Sequence, residues 1–345
     1  MTKNLDDHTA AAARADARAL EHDAEATGPY PEGTHIRRPN RPSRMFNLRL
    51  TDEQYQQLVT GTLLAMSTSL SPSQVPVGVD PDRPSIARIY DGFLGGKHHY
   101  EVDRDVIARI NDACPEAVDI AKQNRAFLNR ACRYLASQTD LAQYIDCGAG
   151  LPTAENTHQI VQRIQPDSTV VYVDNDPVVL AHGRAILEES EQTHMLDADL
   201  FQPNAVMEHP QVLDTIDVTQ PTALLHCFTL HHLETDDGPE LMRNYIDALA
   251  PGSYIVLSHL FNPEIPELTE VADRIEQVVL STLGAGRFRT RTEIEALLPG
   301  LEIIQPNAVT EPGIVVCADW WPDGPRQKPL SDAGQCVAGV VARKP

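Results

Sequence analysis

Tyr144-Ile-Asp-Cys-Gly-Ala-Gly150 is the stretch on which the reading of this chain turns. An apolar run ends in an acidic residue and a Gly-x-Gly turn, and a helical pattern follows over 153–164. A glycine turn between a strand and a helix lets backbone approach a ligand closely. The N–H groups at the helix start favour an anionic group such as a carboxylate or phosphate. The spacing is Asp-x-Gly-x-Gly, not the Gly-x-Gly-x-x-Gly of dinucleotide binders. Asp146 lies inside the turn, where it repels a pyrophosphate and attracts the ammonium group of an amino acid.

Outward from this turn, apolar strands alternate with helical patterns. The pattern predicts strands at 142–147, 169–174, 193–197, 222–227 and 253–259, and helices at 153–164, 177–189 and 239–249. Such alternation means βαβ units and a parallel sheet with helices on both faces. Apolar residues at helical spacing predict further helices over 102–113, 117–136 and 266–283. Two apolar runs in the tail, 314–318 and 336–342, suit a closing antiparallel pair at the sheet edge.

Each of the first four strands is expected to end on a polar residue: Asp146, Asp174 in Val-Tyr-Val-Asp-Asn-Asp, Asp199 in Asp-Ala-Asp, and His226 in Leu-Leu-His-Cys. A carboxylate at 174 suits a bidentate hydrogen bond to ribose hydroxyls, and one at 199 can accept an exocyclic amine of adenine. Taken singly, each aspartate also reads as a helix N-cap or turn residue. Their successive spacings are 28, 25 and 27 residues. One βα period therefore puts all four on the carboxyl edge of one sheet, where open α/β folds bind ligands.

Composition narrows the function classes. The 345 residues carry 49 acidic against 28 basic groups, a net charge of −21. Such a surface repels phosphate backbones and anionic membranes, so neither nucleic acid nor membrane is an expected partner. The six cysteines form no Cys-x-x-Cys pair and no His/Cys cluster with zinc spacing. No metal site or disulfide framework is expected, and a reducing, cytoplasmic setting fits. The start of the chain lacks a signal-peptide pattern. Residues 54–79 carry no charge, but polar residues and proline interrupt them, so they do not read as a membrane span.

At this point the residues resemble a family. Asp-x-Gly-x-Gly, Val-Asp-Asn-Asp-Pro and Ala-Asp-Leu are similar to a class I S-adenosylmethionine-dependent methyltransferase. Pro84-Ser-Ile-Ala-Arg-Ile-Tyr-Asp-Gly-Phe-Leu-Gly-Gly-Lys97, Asn124-Arg-Ala-Phe127, Gly148-Ala-Gly-Leu-Pro-Thr153, Ala250-Pro-Gly-Ser253 and Ser258-His259 narrow the likeness to a bacterial family of S-adenosyl methyltransferases of unassigned substrate. The likeness spans roughly 84–343. It implies a Rossmann-like fold with a mostly parallel seven-stranded sheet, helices on both faces and an N-terminal helical cap. It divides the chain into an extension (1–83), the cap (84–140) and a domain that binds S-adenosyl-L-methionine (141–345).

The resemblance also implies roles. Asp146, Gly148 and Gly150 cradle the methionine half of the cofactor; Asp174 with Asn175 holds the ribose; Asp199 with Leu200 meets the adenine; His226 closes the same edge. Tyr90 and the turn Gly95-Gly96-Lys97 belong to the cap over the cofactor, and Arg125 faces its carboxylate. Gly92 and Phe93, and His98-His99-Tyr100, depart from the family pattern and are placed at the border of the acceptor pocket. Methyl transfer from a sulfonium mainly needs alignment, with a base where the acceptor is a hydroxyl or ammonium.

His231 and His232 follow the fourth strand and are the candidate bases, with His98 and His99 behind them. The alternative for the pair is ordering of its loop. No Asn-Pro-Pro-Tyr motif or Pro-Cys nucleophile follows strand four, which points away from nucleobase chemistry and towards a small-molecule acceptor. Cys227 reads as a small buried residue, and Trp320 and Trp321 as core or edge packing. A non-catalytic regulatory protein that binds S-adenosylmethionine is the other function class, and a nicotinamide dehydrogenase is disfavoured by the short glycine motif.

Residues 46–66 read as a short strand and helix with a faint likeness to a ribbon-helix-helix DNA binder, supported locally by Arg37, Arg38, Arg41, Arg44 and Arg49. Pro72 and Pro76 fall where the second helix should run, so a linker or a homodimerisation arm is the preferred reading.

Overall fold

A computed structural model describes residues 79–152, 155–186, 190–324 and 328–345. The expectations for 46–66 and the basic run from 37 to 49 lie outside the described residues. Three helices lead: α1 (Ile86–Phe93), α2 (Glu101–Ala113) and α3 (Ala117–Gln138). Then come β1 (Gln143–Cys147), α4 (Thr157–Ile164), β2 (Thr169–Asp174), α5 (Pro177–Ile186) and β3 (Thr193–Asp197). Two short helices, α6 (Pro203–Met207) and α7 (Pro210–Thr215), precede β4 (Ala223–Cys227), α8 (Gly238–Ala248) and β5 (Tyr254–Leu260). The chain continues through α9 (Pro266–Leu283), α10 (Arg291–Glu295), β6 (Glu302–Ile303), β7 (Val315–Val316) and β8 (Val337–Arg343).

The sheet order is β3-β2-β1-β4-β5-β8-β6, with β7 also paired to β8. β1 to β5 run parallel, and β8 runs antiparallel beside β5. Among the described residues the sheet thus has eight strands where seven were expected; the extra one is the two-residue β6, too short to leave a periodic signal. The tail run at 314–318 contributes β7 to β8, as its apolar character suggested. The parallel strands are apolar along their length because both faces are covered. Tyr144, Val170, Tyr172, Leu225 and Val256 pack under α1–α5 and α9. Ile145, Val171, Val173, Leu224 and Ile255 pack under α6–α8 and α10. Gly339 in β8 is a glycine for lack of room, since an added Cβ would sit 2.6 Å from the Phe127 ring.

The cap is held by one buried ion pair. Arg88 Nε donates to Asp103 Oδ2 at 2.6 Å, and its terminal amine to Oδ1 at 3.2 Å. The backbone N–H groups of Ser85 and Tyr100 donate to the same carboxylate at 2.9 and 2.7 Å. The Arg88 guanidinium also lies over the Tyr100 ring, 4.6 Å from its centroid. Four donors to one carboxylate offset the cost of burying both ions. The Ser85 hydroxyl donates to Asp176 Oδ2 at 2.5 Å, which ties the cap to the loop after β2. Asn124 of α3 donates to the Tyr90 hydroxyl at 2.7 Å and accepts from Ser258 of β5, joining α1, α3 and the sheet.

Replacing Asp103 with Ala leaves Arg88 buried and unpaired, and should cost about 3–5 kcal/mol of stability. Chemical denaturation checks this; a loss below about 1 kcal/mol would show that the pair does not hold the cap.

Candidate functional site

Strand alternation determines what reaches the cleft. Asp146 in β1 has the facing of Tyr144, and Asp174 in β2 that of Tyr172, so both carboxylates lie on the cap side of the sheet. β1 and β4 are neighbours, while the chain leaves β1 towards β2 and reaches β4 only after β3. This is the switch point at which open α/β sheets bind ligands. A cleft of about 910 Å³ opens there, between the strand ends and the cap. Its lining includes Asp146, Gly148, Gly150, Asp174, Asn175 and Leu200 from the strand side, and Tyr90 and Arg125 from the cap.

The glycine turn after β1 is built by contacts that only glycine permits. Gly148 has φ +86°, and a Cβ there would lie 2.3 Å from the Thr229 methyl on the loop after β4. The N–H groups of Gly148 and Ala149 both donate to the Val173 carbonyl, at 2.8 and 3.1 Å. The Gly150 N–H, at φ +61°, donates to Asp174 Oδ2 at 3.0 Å. Asp174 Oδ1 accepts from Asp176 N–H at 2.9 Å. The second strand's carboxylate therefore shapes the first strand's loop while facing the cleft.

Charge in the cleft is held under tension. Burial raises the Asp146 carboxyl to about 6 against the Thr157 hydroxyl and the Arg125 guanidinium, which favour its ionised form. The Thr157 hydroxyl donates to Asp146 Oδ2 at 2.6 Å. Burial likewise raises Asp174 to about 6, despite the N–H donors of Asp176 and Gly150. Arg125 donates to the Glu155 carbonyl at 2.8 Å, and its Nε is buried with no partner. The donor set fits S-adenosylmethionine: two carboxylates for an ammonium and a ribose diol, an orphaned guanidinium N–H for a carboxylate, and Leu200 and Phe201 for a flat heterocycle.

His231 and His232 border the cleft on the 3-10 turn after β4. The turn is fixed from outside, because Arg287 N–H donates to the His231 carbonyl at 2.9 Å and Arg289 to the Leu230 carbonyl at 3.1 Å. The two imidazole centroids are 4.0 Å apart, and each Nδ1 is buried without a partner. Burial pushes His231 well below the usual histidine range, and neighbouring His232, His259 and Arg289 push the same way. Burial brings His232 down to about 4. Both rings are neutral near pH 7.

Several residues fall elsewhere. His226 faces the opposite side of the sheet, fully buried against Tyr245 at 4.9 Å, because strand alternation turns it away and delivers Cys227 to the cleft instead. Asp199 lies outside the lining. Its carboxylate accepts from Phe201 N–H at 2.9 Å and from the Gln202 amide, so it caps the turn into α6, while the adjacent Leu200 lines the cleft. Gly95, Gly96 and Lys97 are also outside the lining. Gly96 packs on the buried Asp91 carboxylate, with no room for a side chain, and Lys97 is exposed.

Of the departures at 92–100, only Phe93 borders the cleft. Gly92 makes room for Ile107 and the His99 ring, so those two changes complement each other inside the cap. His98 pairs edge-on with His182 of α5, centroids 4.5 Å apart. Trp320 is fully buried against Phe127 and Tyr134.

Comparison with known proteins gives the family. The family profile described as S-adenosyl methyltransferase matches residues 72–345. The chain belongs to that family. Its cofactor is S-adenosylmethionine. A protein from Thermobifida fusca YX, solved as a candidate methyltransferase, is 37% identical over 80% of this chain and 99% of its own, with a TM-score of 0.73. A DUF574 family protein from Streptomyces avermitilis MA-4680 is 32% identical over 77% of this chain and 99% of its own, with a TM-score of 0.71. No curated protein matches. No helix among the described residues is long and apolar enough to cross a membrane.

Site residues that sequence reasoning missed include Cys227, Phe228, Thr229 and Phe201. Strand parity carried the signal for Cys227. Nothing in the sequence signals that Phe228, at φ +62°, turns the chain out of β4 so that its ring meets Tyr90 at 5.6 Å.

Asp146 binds a proton more tightly folded than unfolded, so its contribution to stability is present at low pH and lost as pH rises through about 6. Asp146→Asn should therefore stabilise the ligand-free protein above pH 7, by roughly 1–3 kcal/mol, with the gain shrinking towards pH 4. Thermal unfolding across pH checks this; a variant less stable at pH 8 than at pH 5, relative to wild type, would contradict it.

Proposed function

We propose that the protein transfers the methyl group of S-adenosylmethionine to a small-molecule acceptor. The observation that carries the reading is the placement of Asp146 and Asp174 on one face of the switch point, within a cleft that continues beyond them beneath the cap and α9. About 910 Å³ is near the upper end of small-molecule sites, ~300–1,000 Å³, and leaves room for an acceptor beside the cofactor. The net charge of −21 works against a nucleic-acid acceptor.

In this reading Asp174 with Asn175 takes the ribose, Asp146 and Arg125 the amino-acid end, and Leu200 with Phe201 the adenine. The sulfonium supplies an already activated methyl group. What remains for the chain is to align donor and acceptor and to exclude water. Alignment rests on the fixed turn after β1 and on the cap, held by Arg88, Asp103 and Ser85. His231 and His232, which line the cleft and are neutral at pH 7, take the hydrogen bond or proton from an acceptor in this reading.

The test is turnover with a radiolabelled methyl donor and a panel of small acceptors, followed across pH. Activity should rise as pH passes about 6, where Asp146 and Asp174 ionise, and then stay level to pH 9. Below pH 6, cofactor affinity should fall about tenfold per unit for each carboxylate that must be ionised. Transfer to protein or nucleic acid with none to small molecules would overturn the reading, and a cofactor affinity that is flat from pH 5 to 7 would overturn the roles of the two aspartates.

A further inference from the structure

Resting on that reading, we infer that the acceptor is an uncharged aromatic molecule bearing a hydroxyl, seated in the apolar half of the cleft with its hydroxyl against His231. The cleft is divided by chemistry. Most ionisable lining residues lie at the strand ends, the cap's start and the turn after β4: Asp146, Asp174, Asp176, Asp80, Arg83 and the two histidines, with Arg88 on α1 and Arg125 on α3 besides. The wall from α1, α2, α3 and α9 is different. Phe93, Ile110, Ile120, Leu128, Val279 and Leu283 bring only carbon to it, and the polar groups of Tyr90, Asn124 and Thr282 among them are already hydrogen-bonded within the protein.

Among the described lining residues, the three arginines leave no cation free in that half. Arg88 is spent on Asp103, Arg125 is taken by the cofactor's carboxylate in this reading, and Arg83 sits at the cap's start, outside that wall. A carboxylate or phosphate acceptor would lose its hydration there without a partner. Aromatic rings at Tyr90, Phe93 and Phe228 favour a ring-bearing guest over a flexible chain, through offset or edge contacts.

Beside this wall, on the turn after β4, the Nδ1 atoms of His231 and His232 both lack a partner, and His231 is the more deeply buried of the two. His231 is 1% exposed, and its Nδ1 makes no hydrogen bond within the protein. Leaving such an atom unpaired costs roughly 1–3 kcal/mol, which a donor on the guest would offset. The group is also selective about its donor. With burial and its neighbours holding it far down in basicity, His231 is a weak base. It suits a phenol-type hydroxyl, which loses its proton near pH ~10, better than an aliphatic alcohol, and an ammonium would enter this apolar wall as an unpaired charge. In the step, the aryl oxygen's lone pair forms the new O–C bond as the C–S bond breaks with its pair on sulfur. The hydroxyl proton passes to His231 and on to water. The products are an aryl methyl ether, S-adenosylhomocysteine and a proton.

The test uses the full chain loaded with S-adenosylhomocysteine and three probes of one shape: 1-naphthol, naphthalene and 1-naphthoate, titrated by calorimetry. Wild type should bind 1-naphthol at least tenfold more tightly than 1-naphthoate and severalfold more tightly than naphthalene. His231→Phe should lose the preference for naphthol over naphthalene while keeping naphthalene affinity. Leu283→Arg should shift the preference towards 1-naphthoate, and its unchanged affinity for S-adenosylhomocysteine would show that the fold is intact. Naphthoate binding wild type as tightly as naphthol, or a naphthol preference that survives His231→Phe, would overturn this inference alone. Failure of wild type to bind S-adenosylhomocysteine would overturn the cofactor reading beneath it.

Discussion

Alternation along parallel strands buried on both faces is the constraint on which the site depends. In β1 and β2 every second side chain faces the cap, and that parity selects Asp146 and Asp174. The same parity sends His226 into the opposite core and brings Cys227 to the cleft. A slip of one residue in any of these strands would exchange acid for apolar at the ligand face. The register of β1 is guarded because the face away from the cap is apolar: a slipped β1 would bury Asp146 among Val171, Leu224 and Ile255.

The cap and the glycine turn answer a second need, which is to keep charge poised without quenching it. A carboxylate with every lone pair satisfied by protein has little left for a ligand. Asp103 is that kind, closed by Arg88 and two backbone donors, and its work is structural. Asp146 keeps a single short hydrogen bond, to Thr157, and Asp174 two backbone ones. Burial raises both towards neutrality. In the proposed function a cationic or hydroxylated guest completes them, so affinity draws on unmet polarity already present in the ligand-free site.

Much of this was legible in the sequence because it follows from short-range periodicity. The five parallel strands and the long helices appear where apolar spacing placed them, and the glycine turn with its acidic partner gave the cofactor class that the family match bears out. What escaped was set by distance in the chain. The Ser85 to Asp176 bond spans 91 positions and the Asn124 to Ser258 bond 134, so no local pattern announces them. Reading polar strand ends as a single edge also overreached: Asp199 lies beyond the end of β3 and caps the turn into α6, and His226 faces the opposite side of the sheet. Gly96 looked like part of a ligand turn, but its lack of a side chain serves the buried Asp91 beside it.

The carboxylate of Asp174 shapes the glycine turn and, in the proposed function, also binds the cofactor. Isothermal titration calorimetry with S-adenosylmethionine and S-adenosylhomocysteine, on wild type and on folded Asp174→Ala, tests it most directly. Micromolar binding to wild type that disappears in the variant is the expected result. Equal binding to both proteins would contradict the role of Asp174, and no binding to folded wild type would contradict the site itself.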